Sequence, residues 1–153
     1  MTSATPSGAH TWLVLWRATR AMEAHAHGSI VSMGLCASDF GVLEALLHKG
    51  PLPVNVLGKK LLLTSGSMTA AVDRLVARSL VERADHPSDR RVRVVALTAK
   101  GRKLITSAFA RHESDLNAVV SILTRDERSN LVALLRKLGQ RADGSLSDGD
   151  TAS

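Results

Sequence analysis

Two short runs carry the side chains with most to offer a ligand. Thr64-Ser65-Gly66-Ser67-Met68-Thr69 puts small hydroxyl residues at the start of an apolar-periodic segment, and Asp89-Arg90-Arg91 sets two guanidinium groups beside a carboxylate in a turn. Small side chains at a helix N-terminus let backbone amides and the helix dipole approach an anion, or a base edge, closely. Ser65, Ser67 and Thr69 have a second reading as simple caps, and the two roles coexist. Arginines in a turn suit a narrow minor groove, where negative potential concentrates. Thr64, Ser65, Ser67, Thr69, Arg74, Arg90 and Arg91 are therefore the expected DNA contacts. Asp89 facing phosphates would be repelled, so it is expected to brace the loop or Arg74.

Other chemistry is weakly supported. Cys36 is the one cysteine, so an internal disulfide is impossible. It reads either as a small hydrophobe or as a redox-sensing thiol, and nothing in Leu35-Cys36-Ala37 would activate it. His25-x-His27 lacks the cysteine or carboxylate company of a metal site, so no metal or other cofactor is expected. No nucleophile and base pair or phosphate loop is visible, and an enzyme is not expected. Trp12, Trp16 and Met22 in the first segment, with His112 on a later apolar stripe, have two readings: core of a dimer, or walls of a pocket for a small aromatic effector.

The distribution of charge sharpens the nucleic-acid reading. The chain has 153 residues and a net charge of +6. Between Gly58 and Lys103 stand eleven basic and four acidic residues, a surplus of +7, while the remainder comes to −1. A polyanion-binding face has this pattern. Only two Trp, two Phe and no Tyr are present, too few to stack unpaired bases, so a duplex is the expected nucleic acid. A mean hydropathy of +0.04 permits a core, and no apolar run reaches the roughly 20 residues of a membrane helix. With no signal-peptide pattern at the start, a reducing cytoplasm is the expected setting, without membrane association.

The elements that must position these residues follow from periodicity. Residues 1–9 and the tail from Asp143 to Ser153 read as disordered, leaving 10–142 as a single domain. Apolar spacing predicts a first helix ending near Gly28, and a second capped by Ser38 and stopped by Gly50-Pro51. Pro53 starts a short third helix, and Thr64 caps a fourth reaching Arg78. The period then shortens over 81–85 and 92–97, a hairpin with a charged tip. Thr98 caps a long helix over 99–123, and Thr124-x-x-Glu127 is a capping box for a last helix closed by Gly139. The fold class is mainly α with a small β-hairpin wing: a winged helix-turn-helix over 38–98, with dimerisation helices at 10–28 and 99–142. The terminal stripes have little chain left to cover them, and a second copy is the simplest cover.

The run from Leu63 to Leu104, LTSGSMTAAVDRLVARSLVERADHPSDRRVRVVALTAKGRKL, resembles the recognition helix and wing of the MarR family of winged helix-turn-helix transcriptional regulators. Its most specific piece is Asp89-Arg90-Arg91 followed by Leu97-Thr98-x-x-Gly101. The resemblance implies a homodimer joined through the first, fifth and sixth helices, with recognition helices in successive major grooves of a pseudo-palindromic operator. It also implies a wing arginine in the minor groove and an aspartate holding the loop. ASDFGVLEALLHKG is most similar to the branch that senses quinones and related aromatics, which implies a repressor released by a small aromatic or phenolic ligand. The rival readings are a non-regulatory architectural protein on duplex DNA and a thiol-based repressor using Cys36.

Overall fold

The structure is a computed structural model that describes residues 5–86 and 88–149. It contains six helices and one antiparallel pair of strands in the order α1(Gly8–Ser32), α2(Ala37–Lys49), α3(Val54–Leu61), α4(Ser65–Ala77), β1(Val81–His86), β2(Asp89–Leu97), α5(Ala99–Val120) and α6(Arg125–Gly149). The expected class, mainly helical with a β-hairpin, is what the chain adopts. Contacts divide it into a unit up to Asp115 and a second unit from Leu116 onward.

The first unit holds the core. Leu43 and Leu46 of α2, Leu57 of α3, Met68, Val72 and Leu75 of α4, Val81, Val95 and Ile105 are all essentially inaccessible to solvent. Residues three, four and seven apart on α4 supply one wall, so the apolar period seen in the sequence is the core stripe. Gly50 ends α2 at φ 76, a backbone region where a Cβ is disfavoured. The chain then runs through Leu52, whose amide and carbonyl pair with Val95 at 3.1 and 2.8 Å. That bridge adds a third, one-residue edge to the wing and ties it to the α2–α3 connection.

Strands β1 and β2 pair Val81 with Leu97 and Arg83 with Val95, with an irregularity between Asp85 and His86 near the tip. Thr98 starts α5 as expected: its hydroxyl accepts from the Gly101 amide at 3.0 Å and donates to the Ser79 carbonyl at 2.8 Å. In the second unit the capping box over Thr124 and Glu127 is reciprocal, with the Thr124 amide donating to the Glu127 carboxylate at 2.8 Å and Thr124 Oγ1 accepting from the Glu127 amide at 3.3 Å. The carboxylate sits below its usual range, held there by the backbone and hydroxyl donors of Thr124.

Several boundaries differ from the sequence expectation. Helix α1 begins at Gly8, capped by Ser7, and passes through Gly28 to Ser32. One glycine costs a helix about 1 kcal/mol, and beyond it Ile30 is buried and Ser29 donates to Asp115 at 2.6 Å. Cys36, not Ser38, occupies the N-cap position of α2, without a side-chain cap bond. Pro53 is the N-cap of α3, one place before the helix proper. Helix α6 continues past Gly139, where a Cβ would meet open space, and takes in the first part of the expected tail. Residues 150–153, with residues 1–4, lie outside the described set. Among the described residues no single helix is long and apolar enough to cross a membrane.

Candidate nucleic-acid interface

Helices α3 and α4 meet at a tight turn through Leu62, which adopts left-handed φ 53. The N-terminal turn of α4 is organised by Thr64. Its hydroxyl accepts from the Ser67 amide at 3.2 Å and donates to Ser67 Oγ at 2.9 Å, so its one proton and its cap position are both taken. Thr69 donates its hydroxyl to the Ser65 carbonyl at 2.9 Å. With Met68, Ala71, Val72 and Leu75 turned into the core, the outer face of α4 presents Ser65, Gly66, Ser67, Thr69, Ala70 and Asp73. The four hydroxyl residues picked out in the sequence are therefore together on one helix end and exposed. Asp73 is engaged by Arg83 of β1 at 2.5 Å.

Arg74 has a partner within the chain. Its guanidinium turns to α2, donating to Asp39 Oδ1 at 2.6 Å and to Ser38 Oγ at 3.1 Å. Asp39 is buried in the first turn of α2, and its hydrogen bonds and charge raise the Arg74 pKa above its ordinary value. The pair fastens α4 to α2. Sequence reasoning misses Asp39; its signal is a carboxylate among the apolar residues that α2 buries. Cys36 lies at the edge of this cluster, exposed, 3.3 Å from Ser38 Oγ and 3.7 Å from the guanidinium.

Asp89 does not reach Arg74. Its Oδ1 accepts from the Arg91 amide at 3.0 Å and from Arg91 Nε at 3.3 Å, closing a local turn that aims the Arg91 side chain into solvent, 92% exposed. The Arg90 side chain and Pro87 lie outside the described residues. Asp85 pairs with Arg93 across the hairpin at 2.7 Å, and His86 Nδ1 meets Ser88 at the tip. Asp85 and His86, which sequence reasoning passes over, thus stiffen the wing.

The residues expected around an effector are not brought together within the chain. Trp12 and Trp16 are exposed on α1, Arg20 lying over the Trp16 ring at 5.9 Å, and Met22 is half-buried. His112 is buried against Phe40, ring centroids 4.9 Å apart, and its Nδ1 has no partner among the described residues. One open cleft of the first unit lies elsewhere. It measures about 460 Å³ and is lined by Met33, Lys100, Lys103, Leu104, Ser107, Ala108 and Arg111. An apolar floor with cations at the rim suits an amphiphilic anion. None of the four expected residues lines it. His112 does stand on the apolar stripe of α5, as its spacing predicts, but that stripe faces the core.

Residues 33–92 match the model of the MarR family. Over 131 residues the chain is 37% identical to the HTH-type transcriptional regulator MhqR of Bacillus subtilis, covering 86% of this chain and 90% of that protein. The chain belongs to the MarR family. It is a transcriptional regulator that binds DNA, and α3, α4 and the β1–β2 hairpin are its winged helix-turn-helix. Two solved structures agree with this. Bordetella bronchiseptica BpsR, described in connection with regulation of its DNA binding by 6-hydroxynicotinic acid, superposes with a TM-score of 0.72 at 29% identity, covering 84% of this chain and 98% of that one. A mutant MarR from E. coli, complexed with operator DNA, gives a TM-score of 0.70 at 26% identity over 82% of this chain and 90% of that one.

Proposed function

We propose that this MarR-family chain is a homodimeric repressor that occludes a promoter. Each protomer lays α4 in a major groove of a pseudo-palindromic operator and sets the wing, with Arg91 and Arg90, in the neighbouring minor groove. The observation that carries the reading is the terminal helices. No described side chain of α6 is buried, yet Leu131, Val132, Leu134, Leu135 and Leu138 all lie on it, while α1 exposes Trp12, Leu13, Val14 and Trp16. Apolar surface of that extent on two helices is what a subunit interface covers. Trp12 and Trp16 then belong to the dimer core.

On the DNA side, Ser65, Ser67 and Thr69 approach base edges and phosphates, and the α4 N-terminus contributes its amides. Thr64 and Asp89 act by shaping α4 and the wing, and Arg74 acts by holding α4 to α2. Residues 10–142 work as one module, in the cytoplasm.

The effector of this reading is a small aromatic or phenolic acid, held over Met33 and Leu104 with its anionic group toward Lys103 and Arg111. The relation of BpsR to 6-hydroxynicotinic acid supports an effector of this class. Such a ligand releases DNA only by favouring a dimer spacing that misfits it, because equal affinity for both spacings shifts nothing.

Light scattering tests the assembly. A species of about 33 kDa, twice the 16.3 kDa of one chain, is expected, and Leu134→Asp is expected to leave folded monomers that bind a palindrome no better than a half-site. A monodisperse wild-type monomer overturns the dimer. For the effector, benzoate and 6-hydroxynicotinic acid are titrated with and without bound DNA; binding that DNA does not weaken overturns linked release, since coupling is reciprocal.

A further inference from the structure

The hydroxyl and ion-pair assignments on α4 limit what this helix can say to a base. Side chains that distinguish base pairs by paired hydrogen bonds are Arg or Lys on guanine and Asn or Gln on adenine. Apart from Arg74, the exposed part of α4 that starts the helix holds none of these: it offers Ser65, Gly66, Ser67, Thr69, Ala70 and Asp73. Arg74, the one cation of α4, is held by Asp39 and Ser38. Asp73 is held by Arg83.

The hydroxyls narrow this further. Thr69 has given its proton to the Ser65 carbonyl, so it can donate to no base and keeps its methyl group and the acceptor side of its oxygen. Thr64 has given its proton to Ser67 Oγ. Ser67, accepting that bond, keeps its own proton, a single donor that guanine N7, adenine N7, thymine O4 and a phosphate all satisfy alike. On the strip that runs through Gly66 and Asp73 stand Thr69 and Ala70, both exposed and each carrying a methyl group. The major-groove feature that such methyls recognise is the C5-methyl of thymine.

We infer that α4 reads its half-site chiefly through thymine methyl groups, packed against Thr69 and Ala70, with the Ser65 and Ser67 hydroxyls supplying undiscriminating hydrogen bonds. The inference rests on the proposed insertion of α4 in the major groove. Gly66 serves the same end by letting the helix sit deep enough for methyl contact, since a Cβ there would project into the space the base edges fill.

Uracil substitution tests this, because deoxyuridine differs from thymidine only by the lost methyl and keeps every hydrogen-bonding atom. A duplex is selected by the full-length protein from a random pool, and each thymine in the preferred half-sites is replaced in turn, with affinity read by fluorescence anisotropy. At one or two positions per half-site the replacement is expected to weaken binding about threefold to fivefold, the value of one buried methyl. Thr69→Ser, which keeps the hydroxyl and removes the methyl, is expected to abolish that loss at the position beneath Thr69. If every uracil replacement leaves affinity within about 1.5-fold, methyl reading is overturned. A loss that persists unchanged in Thr69→Ser overturns the assignment to Thr69. Failure of the groove reading looks different: no sequence would be enriched from the pool, and the selected duplex would bind no better than a scrambled one.

Discussion

Gly101 lies against the carbonyl of Leu80 so closely that a Cβ on it would stand 1.8 Å from the Leu80 oxygen and 2.8 Å from its carbonyl carbon. Here the first turn of α5 crosses the start of the wing, backbone on backbone, and the Thr98 amide donates to the same oxygen at 3.1 Å. The wing and α5 are thus joined through main chain, which has no rotamer to adjust. Gly101→Ala is expected to destabilise the protein by about 3 kcal/mol or more, because one element must shift from the other. Urea denaturation measures it. A variant as stable as wild type would mean that the crossing is looser than it stands here.

The Arg74 and Asp39 pair separates a structural role from DNA contact. Removing the guanidinium leaves the Asp39 carboxylate, only 5% exposed, without its cation, and Arg74→Ala is expected to cost about 2–3 kcal/mol of stability. Arg74→Ala with Asp39→Asn is expected to recover part of that loss. DNA affinity, measured well below the melting range, should then return with the fold. An unchanged denaturation midpoint with weakened DNA binding would place Arg74 on the phosphates instead.

What the sequence discloses and what it hides divide along the range of the interactions. Thr64, Thr98 and Thr124 are legible as caps because each bonds within three residues, and the hairpin is legible because its strands are sequence neighbours. Gly28 and Gly139 read falsely as stops because a glycine ends a helix only when the next residues gain nothing by continuing. Beyond Gly28 they do gain, through Ser29 on Asp115, 86 positions away. The partner of Arg74 is hidden for the same reason: the buried carboxylate beside it lies 35 residues earlier in the chain. The expected effector residues follow from apolar spacing along two helices, which does not say where helices converge, and the cleft over Met33 and the α5 cations is visible only in the fold.

Arg91 extends from the wing with its backbone amide and Nε on Asp89. Arg91→Ala is expected to weaken binding to the selected duplex by about 1–3 kcal/mol and to lower its salt dependence, with no change in thermal stability. Asp89→Ala keeps the Arg91 charge and loosens its aim, while removing a carboxylate that repels phosphate, so it should change affinity less than Arg91→Ala does and leave the salt slope nearly unchanged. Titrations at several salt concentrations distinguish the two. Equal slopes and affinities for wild type and Arg91→Ala would remove the wing from the interface.

The Thr124 and Glu127 box carries a pH dependence whose direction is fixed. Donors on Thr124, its amide first and its hydroxyl second, favour the ionised Glu127 carboxylate and lower its folded pKa below the unfolded value. A depressed carboxylate contributes stability that is complete above its unfolded pKa and is lost as pH falls through the folded one. Helix α6 should therefore start to fray at its N-terminus only in acid, below the ordinary carboxylate range, with neutral pH leaving it intact. Thr124→Ala removes the hydroxyl from both halves of the box and is expected to cost about 1 kcal/mol at neutral pH. It should also move the Glu127 titration, followed by carboxyl-carbon NMR, back up toward its ordinary value. A Glu127 titration that is the same in wild type and Thr124→Ala would show that the hydroxyl does not hold the carboxylate, and the acid sensitivity of α6 would then need another source.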